Sequence, residues 1–139
     1  VIFQAFQLFP LLTVLENVCY PMELGGVPVK EARERARGLL ESVGIGSEKL
    51  RRFPANLSGG EQQRVAIARA LATGARILLA DEPTGNLDGE NSRNVVDILT
   101  HLAHEKGYCV IIVTHDPAIA DVSDKVYRME DGALMEQAG

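Results

Sequence analysis

Two short apolar runs separated by a helical pattern constrain the fold of this sequence more than any other feature. Ile77 to Ala80 and Cys109 to Val113 have the length of strands and are far too short to cross a membrane. Residues 89–105, between them, carry apolar side chains at helical spacing. A strand, a helix and a strand in this order predict a right-handed βαβ unit with two parallel strands, buried in an α/β fold.

Polar residues follow both predicted strands. Asp81 and Glu82 come after the first strand, and Thr114 and His115 after the second. The carboxyl ends of parallel strands share one edge of a sheet, where ligands bind in open α/β folds. Asp81 could hold Mg²⁺ directly or through water, Glu82 could orient or deprotonate a water, and His115 could bind a phosphate. The alternatives are solvated loop acids and a structural histidine.

The first half of the chain has helical patterns. Thr13 and Glu16 form a capping-box pattern at the start of a short helix, which we expect Pro21 to interrupt. Residues 28–43 predict an amphipathic helix, and a short helical turn is expected near residues 47–53. This half therefore predicts an all-helical segment ahead of the sheet residues.

A second capping-box pattern, Ser58 with Glu61, opens a helix that Gly74 ends. Ser58, Gly59 and Gly60 offer a hydroxyl, backbone N–H groups and the positive end of the helix dipole, which together suit a phosphate. An ordinary serine cap with glycine in the turn is the alternative interpretation.

The charge and the cysteines exclude some classes of function. With 14 basic and 19 acidic residues the formal charge is −5, which argues against binding to a nucleic-acid backbone. Cys19 and Cys109 lack metal-ligand spacing, and both are predicted to be buried thiols in a reducing compartment.

The order of these motifs resembles the ATP-binding cassette (ABC) superfamily from residue 1 to residue 139. Leu57 to Arg64 resembles its signature motif. The sequence of residues 81–88 is similar to that of the bacterial branch that serves lipoprotein release, macrolide export and cell division. Four further segments match in family order. Phe3-Gln4 resembles the Q-loop, and residues 77–82 resemble the Walker B strand with the catalytic glutamate. Residues 85–88 resemble the D-loop, and residues 114–116 contain the switch histidine.

The resemblance implies a P-loop NTPase-like α/β core with an inserted helical subdomain at about residues 13–56, after a Q-loop region at about 1–12. The signature helix, the Walker B strand, the D-loop and the switch histidine would follow at about 57–139. This part ends in a C-terminal antiparallel hairpin, which the Asp131-Gly132 turn pattern predicts. It implies ATP and Mg²⁺ as cofactors, with Asp81 holding Mg²⁺ through water, Glu82 as general base and His115 on the γ-phosphate. Gln4 would contact Mg²⁺ and the attacking water.

The same resemblance implies two protein partners. One is a second ATP-binding subunit, arranged head to tail, whose ATP would be met by the signature side of this chain: Ser58, Gly59, Gly60, Glu61 and Asp88. The other is a transmembrane permease, which would hold the subunit on the cytoplasmic face of the inner membrane. No nucleic acid is expected.

A phosphate-binding loop of the form G-x-x-x-x-G-K-[ST] is absent from residues 1–139, because no lysine follows a glycine. The family places this loop before the Q-loop, so we interpret the difference as a truncation. We expect residues 1–139 alone not to hydrolyse ATP and to expose apolar surface. Two alternatives stay open: a non-catalytic remnant that binds a partner, and, less in keeping with the short helical insert and negative charge, a DNA-repair or chromosome-type ATPase.

Overall fold

The computed structural model describes residues 2–3, 8–85, 87–130 and 132–136, with the backbone alone at 2, 3 and 130. Gln4 and Asn86 lie outside these ranges. In chain order the elements are β1 Ile2–Phe3, α1 Val14–Leu24, α2 Val29–Ser42, two short 3-10 helices Ser47–Lys49 and Pro54–Asn56, α3 Gly59–Ala72, β2 Ile77–Asp81, α4 Gly89–His104, β3 Cys109–Val113, α5 Pro117–Val122, β4 Tyr127–Glu130 and β5 Ala133–Glu136.

The described residues form a parallel sheet with the strand order β1-β2-β3. Phe3 pairs with Asp81, and Asp81 pairs with Val113, so the three strands end at one edge. The predicted strand, helix and strand are confirmed as β2, α4 and β3. The C-terminal strands β4 and β5 form the expected antiparallel pair.

Helices α1, α2 and α3 pack against one another and supply much of the core. The predicted interruption at Pro21 is wrong, because α1 continues through Pro21 to Leu24. A proline inside a helix removes one backbone hydrogen bond. Here the packing of Val18, Cys19 and Met22 in the core offsets that loss, since most helical stability in proteins comes from tertiary packing.

The sheet is covered on one face only by the described residues. Leu78 and Ala80 are buried, whereas Ile77 and Leu79 are 62% and 40% exposed. The prediction of a buried strand is therefore confirmed for one face of β2 and wrong for the other. The expected exposed apolar surface is present on this open face, where β3 adds Ile111 and Val113.

The two cysteines differ in their exposure to solvent. Cys19 is buried as predicted, and burial raises the pKa of its thiol. The prediction that Cys109 is buried is wrong, because it pairs with the exposed Ile77 at the start of the open face. No helix in the described ranges has the length and apolar character of a membrane span.

Candidate functional site

Glu82 lies at the centre of the carboxyl edge of the sheet. It follows β2 directly with a φ of 49°, in the left-handed region that residues other than glycine seldom adopt. Its N–H donates to the Val113 carbonyl oxygen at 2.7 Å, and its own carbonyl oxygen accepts from the Gly85 N–H at 3.0 Å. Such a conformation costs roughly 1 to 3 kcal/mol and persists where the surroundings hold it.

The carboxylate of Glu82 is held by the residues that follow β3. The Thr114 hydroxyl donates to Oε2 at 3.1 Å, and the backbone N–H of His115 donates to Oε1 at 3.0 Å. The imidazole Nε2 of His115 lies 3.9 Å from Oε1, and this ring is fully exposed. The predicted meeting of the polar residues after β2 and β3 is confirmed, and it gives the Glu82 carboxylate a fixed orientation.

Asp81, at the same edge, has a side chain with no hydrogen-bond or ion-pair partner among the described residues. It ends β2 and is exposed, whereas both oxygens of Glu82 already accept hydrogen bonds. Within the described ranges, no three His, Cys, Asp or Glu side chains come together as a ligand set. Mg²⁺ is often bound by one or two carboxylates together with substrate phosphates. The donors present therefore fit a Mg²⁺ ion that binds together with a phosphate.

The N-terminus of α3 forms a second polar centre. Ser58 is its N-cap: its hydroxyl accepts from the Glu61 N–H at 3.1 Å, and the Glu61 carboxylate accepts from the Ser58 N–H at 3.0 Å. Gly59 and Gly60 contribute the first two helical N–H groups, for which the described residues provide no acceptor. Together with the helix dipole, these donors suit an anion.

The Glu61 carboxylate binds groups of this chain. Lys49, in the first 3-10 helix, forms an ion pair with Glu61, and the two side chains are 26% and 14% exposed. The Lys49 ammonium and then the Ser58 N–H lower the pKa of Glu61 to about 2, so Glu61 is ionised at neutral pH. Lys49 thus compensates the negative charge of Glu61 at a helix end that suits an anion. The local sequence pattern did not predict this ion pair.

Gly60 has a packing role that sequence reasoning missed. A Cβ atom at Gly60 would lie 2.2 Å from Oδ1 of Asn91, so the two helix ends approach closely only because Gly60 has no side chain. Asn91 belongs to the first turn of α4, where its N–H donates to the N-cap Asp88 at 2.8 Å. The approach of α3 to the N-terminus of α4 therefore places the predicted Gly60 and Asp88 in neighbouring helix ends.

Two buried amides that sequence reasoning also missed fix the surrounding loops. Gln63 on α3 is fully buried and donates to the Pro83 carbonyl oxygen at 3.0 Å. Asn17 on α1 is fully buried and forms four hydrogen bonds to backbone atoms of residues 9–13. The predicted site residue Gln4 precedes that segment and lies outside the described residues.

Solved structures with this fold are ATP-binding cassettes. A dimeric cassette in a post-hydrolysis state, bound to ADP and Pi, matches with a TM-score of 0.85 at 40% identity, over 98% of this chain and 60% of its own. The CbiO1 protein of Clostridium perfringens, part of the CbiONQ transporter complex, matches with a TM-score of 0.85 at 31% identity, over 96% and 54% of the two chains. The fold is that of an ABC ATPase core, as the resemblance implied.

The sequence comparisons agree. The family described as ABC transporter matches residues 1–85, and the chain belongs to this family. The lipoprotein-releasing system ATP-binding protein LolD of Aquifex aeolicus is 49% identical over 134 residues, which are 96% of this chain and 59% of LolD. The macrolide export ATP-binding/permease protein MacB of Chromobacterium violaceum is 48% identical over 99% of this chain and 21% of MacB. The chain therefore spans little more than half of LolD and about a fifth of MacB.

Proposed function

We propose that this chain is part of the ATP-binding subunit of an ABC transporter and that its carboxyl edge hydrolyses ATP. The observation that carries the proposal is the Glu82 carboxylate, held in one orientation by Thr114 and His115 beside the exposed Asp81. Hydrolysis of a phosphoanhydride needs a water that is oriented and deprotonated in line with the leaving group. A fixed carboxylate at the ligand edge of the sheet meets that need.

Each residue at the edge then has a distinct role. Glu82 accepts the proton of the attacking water, Asp81 holds Mg²⁺ through water, and the exposed His115 ring donates to the γ-phosphate. Gln4 is proposed to contact the same water and the metal. Mg²⁺, when bound with ATP, supplies charge neutralisation at the phosphate oxygens.

The N-terminus of α3 is proposed to meet the ATP held by a second subunit. Hydrogen-bond donors at Ser58, Gly59 and Gly60 bind the γ-phosphate, and Asp88 lies at the same interface. Glu61 stabilises the helix end through its bonds to Ser58 and Lys49. A structural relative that is a dimeric cassette supports the pairing of two such subunits, and the head-to-tail arrangement is part of the proposal. Donors fixed before the reaction stabilise the charge that develops during phosphoryl transfer.

We further propose that ATP hydrolysis drives export or the release of lipoprotein or another lipid-linked cargo. The supporting observation is the identity of 48–49% to relatives named for macrolide export and lipoprotein release. A permease is the implied membrane partner, contacted by the Q-loop region and the helical subdomain of about residues 13–56. The subunit would then lie on the cytoplasmic face of the inner membrane.

The test is Mg-ATP turnover by the full-length product of the gene that encodes this chain. Glu82→Gln should lower kcat by about 10²- to 10⁴-fold, the usual contribution of a general base. Glu41→Gln is the matched control, because Glu41 is exposed on α2, a helix that packs mainly on α1 and α3, and the change should leave kcat unchanged. Turnover that survives Glu82→Gln would contradict the proposal. Residues 1–139 alone, which contain no phosphate-binding loop, should show no turnover.

A further inference from the structure

One buried side chain connects the two polar centres of the candidate site. Gln63 lies on α3 within two turns of Ser58, and its Nε2 donates to the carbonyl oxygen of Pro83 at 3.0 Å. Pro83 is the residue that follows Glu82, and it is fully buried as well. The signature helix therefore holds the loop of the catalytic carboxylate through a bond that water does not reach.

This bond completes the set of contacts around Glu82. Val113 and Gly85 hold the Glu82 backbone, while Thr114 and the His115 N–H hold its carboxylate. These contacts come from β3, from the segment after it and from the loop itself. Gln63 is the hydrogen-bond donor to this loop that the structure places on α3.

We propose that Gln63 is a positioning residue through which the signature helix sets the orientation of Glu82. The proposal rests on the proposed function, in which Ser58 meets the ATP of the second subunit and Glu82 acts on the ATP of its own. Residues in one helix move as a rigid unit over two turns, about 10 Å. A shift of α3 toward the second subunit's phosphate therefore reaches the Pro83 carbonyl, and it couples the two ATP sites.

The other end of the Gln63 amide argues against a role in stability alone. Oε1 is buried and has no hydrogen-bond partner in the part of the chain that the structure describes. An unsatisfied buried acceptor costs at least as much as one neutral hydrogen bond contributes. Replacing Gln63 with an apolar side chain of the same length removes the unsatisfied Oε1 but also leaves the Pro83 carbonyl oxygen without this donor. The two effects oppose each other, so the stability of the fold should change little.

Gln63→Met in the full-length product separates the two roles. We expect kcat to fall about tenfold, KM for ATP to stay within twofold, and the melting temperature to stay close to that of the wild type. The matched control is Gln62→Met, on the same turn, where the amide donates to Pro54 and Leu57 and not to the Glu82 loop. That variant should lower the melting temperature and reduce kcat less than Gln63→Met does.

A double mutant supplies the second readout. If Gln63 acts through Glu82, Gln63→Met should have no further effect on the residual turnover of Glu82→Gln. Gln63→Leu, which is also apolar and without a donor, should lower kcat like Gln63→Met and serves if the latter does not fold. An active wild type whose kcat stays within twofold in both Gln63 variants would overturn this inference alone. If the wild type shows no turnover, or if its turnover does not depend on Glu82, both the proposed function and this inference are wrong.

Discussion

Replacing Lys49 with methionine tests how the N-terminus of α3 is stabilised. The Lys49 ammonium is the main cause of the low pKa of Glu61, and Glu61 in turn caps the first turn of α3 through the Ser58 N–H. Lys49→Met keeps the length of the side chain and removes its charge. The Glu61 carboxylate is then left largely buried without its cation.

The size of the effect follows from the pKa of Glu61, which falls from 4.5 to about 2. At about 1.4 kcal/mol for each pKa unit, the contacts that favour the ionised form, less the opposing desolvation, give a net stabilisation of at most about 3 kcal/mol. Lys49 supplies the largest part, and solvent reaching its partly exposed side chain weakens the pair. We therefore expect a coupling free energy of about 1 to 2 kcal/mol, and a melting temperature about 2 to 8 °C lower.

The direction of the pH dependence is fixed by the sign of the shift. The pKa of Glu61 is lower in the folded than in the unfolded protein, so the stabilisation is complete above about pH 4.5 and is lost as the pH falls toward 2. At pH 3 less than half of it should remain.

The assay is a double-mutant cycle of Lys49→Met and Glu61→Gln, measured by urea unfolding of the full-length product at low ionic strength. Glu61→Gln retains an oxygen that accepts from the Ser58 N–H but carries no charge. Lys49→Met should therefore cost much less in that background. A coupling free energy below about 0.3 kcal/mol at pH 7, or an equal value at pH 7 and pH 3, would refute the reasoning.

Three further perturbations test other contacts. Gly60→Ala should destabilise the fold by about 1 to 3 kcal/mol, because its Cβ would overlap Asn91. In urea unfolding, Asn91→Ala should recover part of that loss, and an equal cost of Gly60→Ala with Asn91 and with Ala at position 91 would exclude the overlap. Asp88→Ala should cost about 1 kcal/mol by removing the α4 N-cap, while Asp88→Asn should cost little; equal costs would show that the cap is not the cause. In residues 1–139, maleimide should modify the exposed Cys109 faster than Cys19, and equal rates would contradict the burial of Cys19.

Local features of the fold could be predicted because their causes are local. The capping boxes at Thr13 and Ser58 depend on residues three positions apart, and both form as expected. The strands followed from apolar runs bounded by polar residues. The meeting of Glu82 with Thr114 and His115 followed from a general rule of parallel sheets, which needs only the order of the elements.

The errors and omissions arise where distant parts of the chain decide the outcome. The continuation of α1 past Pro21 depends on its packing in the core, and the exposure of Cys109 depends on what covers the sheet. The contacts of Lys49, Asn91 and Gln63 join residues 12 to 31 positions apart, and no spacing rule in the sequence pairs them.

Those three contacts all act on the first turns of α3. Lys49 reaches Glu61 from the helical segment, Asn91 fits against Gly60 from α4, and Gln63 extends from α3 to the Glu82 loop. Because each contact joins α3 to a different part of the chain, the helix end cannot shift without changing at least one of them. In the proposed function, the donors at this helix end must match a phosphate held by another subunit, and such a match needs this rigidity. The Gln63 contact also makes the position of these donors depend on the conformation around Glu82, as the proposed coupling of two ATP sites would require.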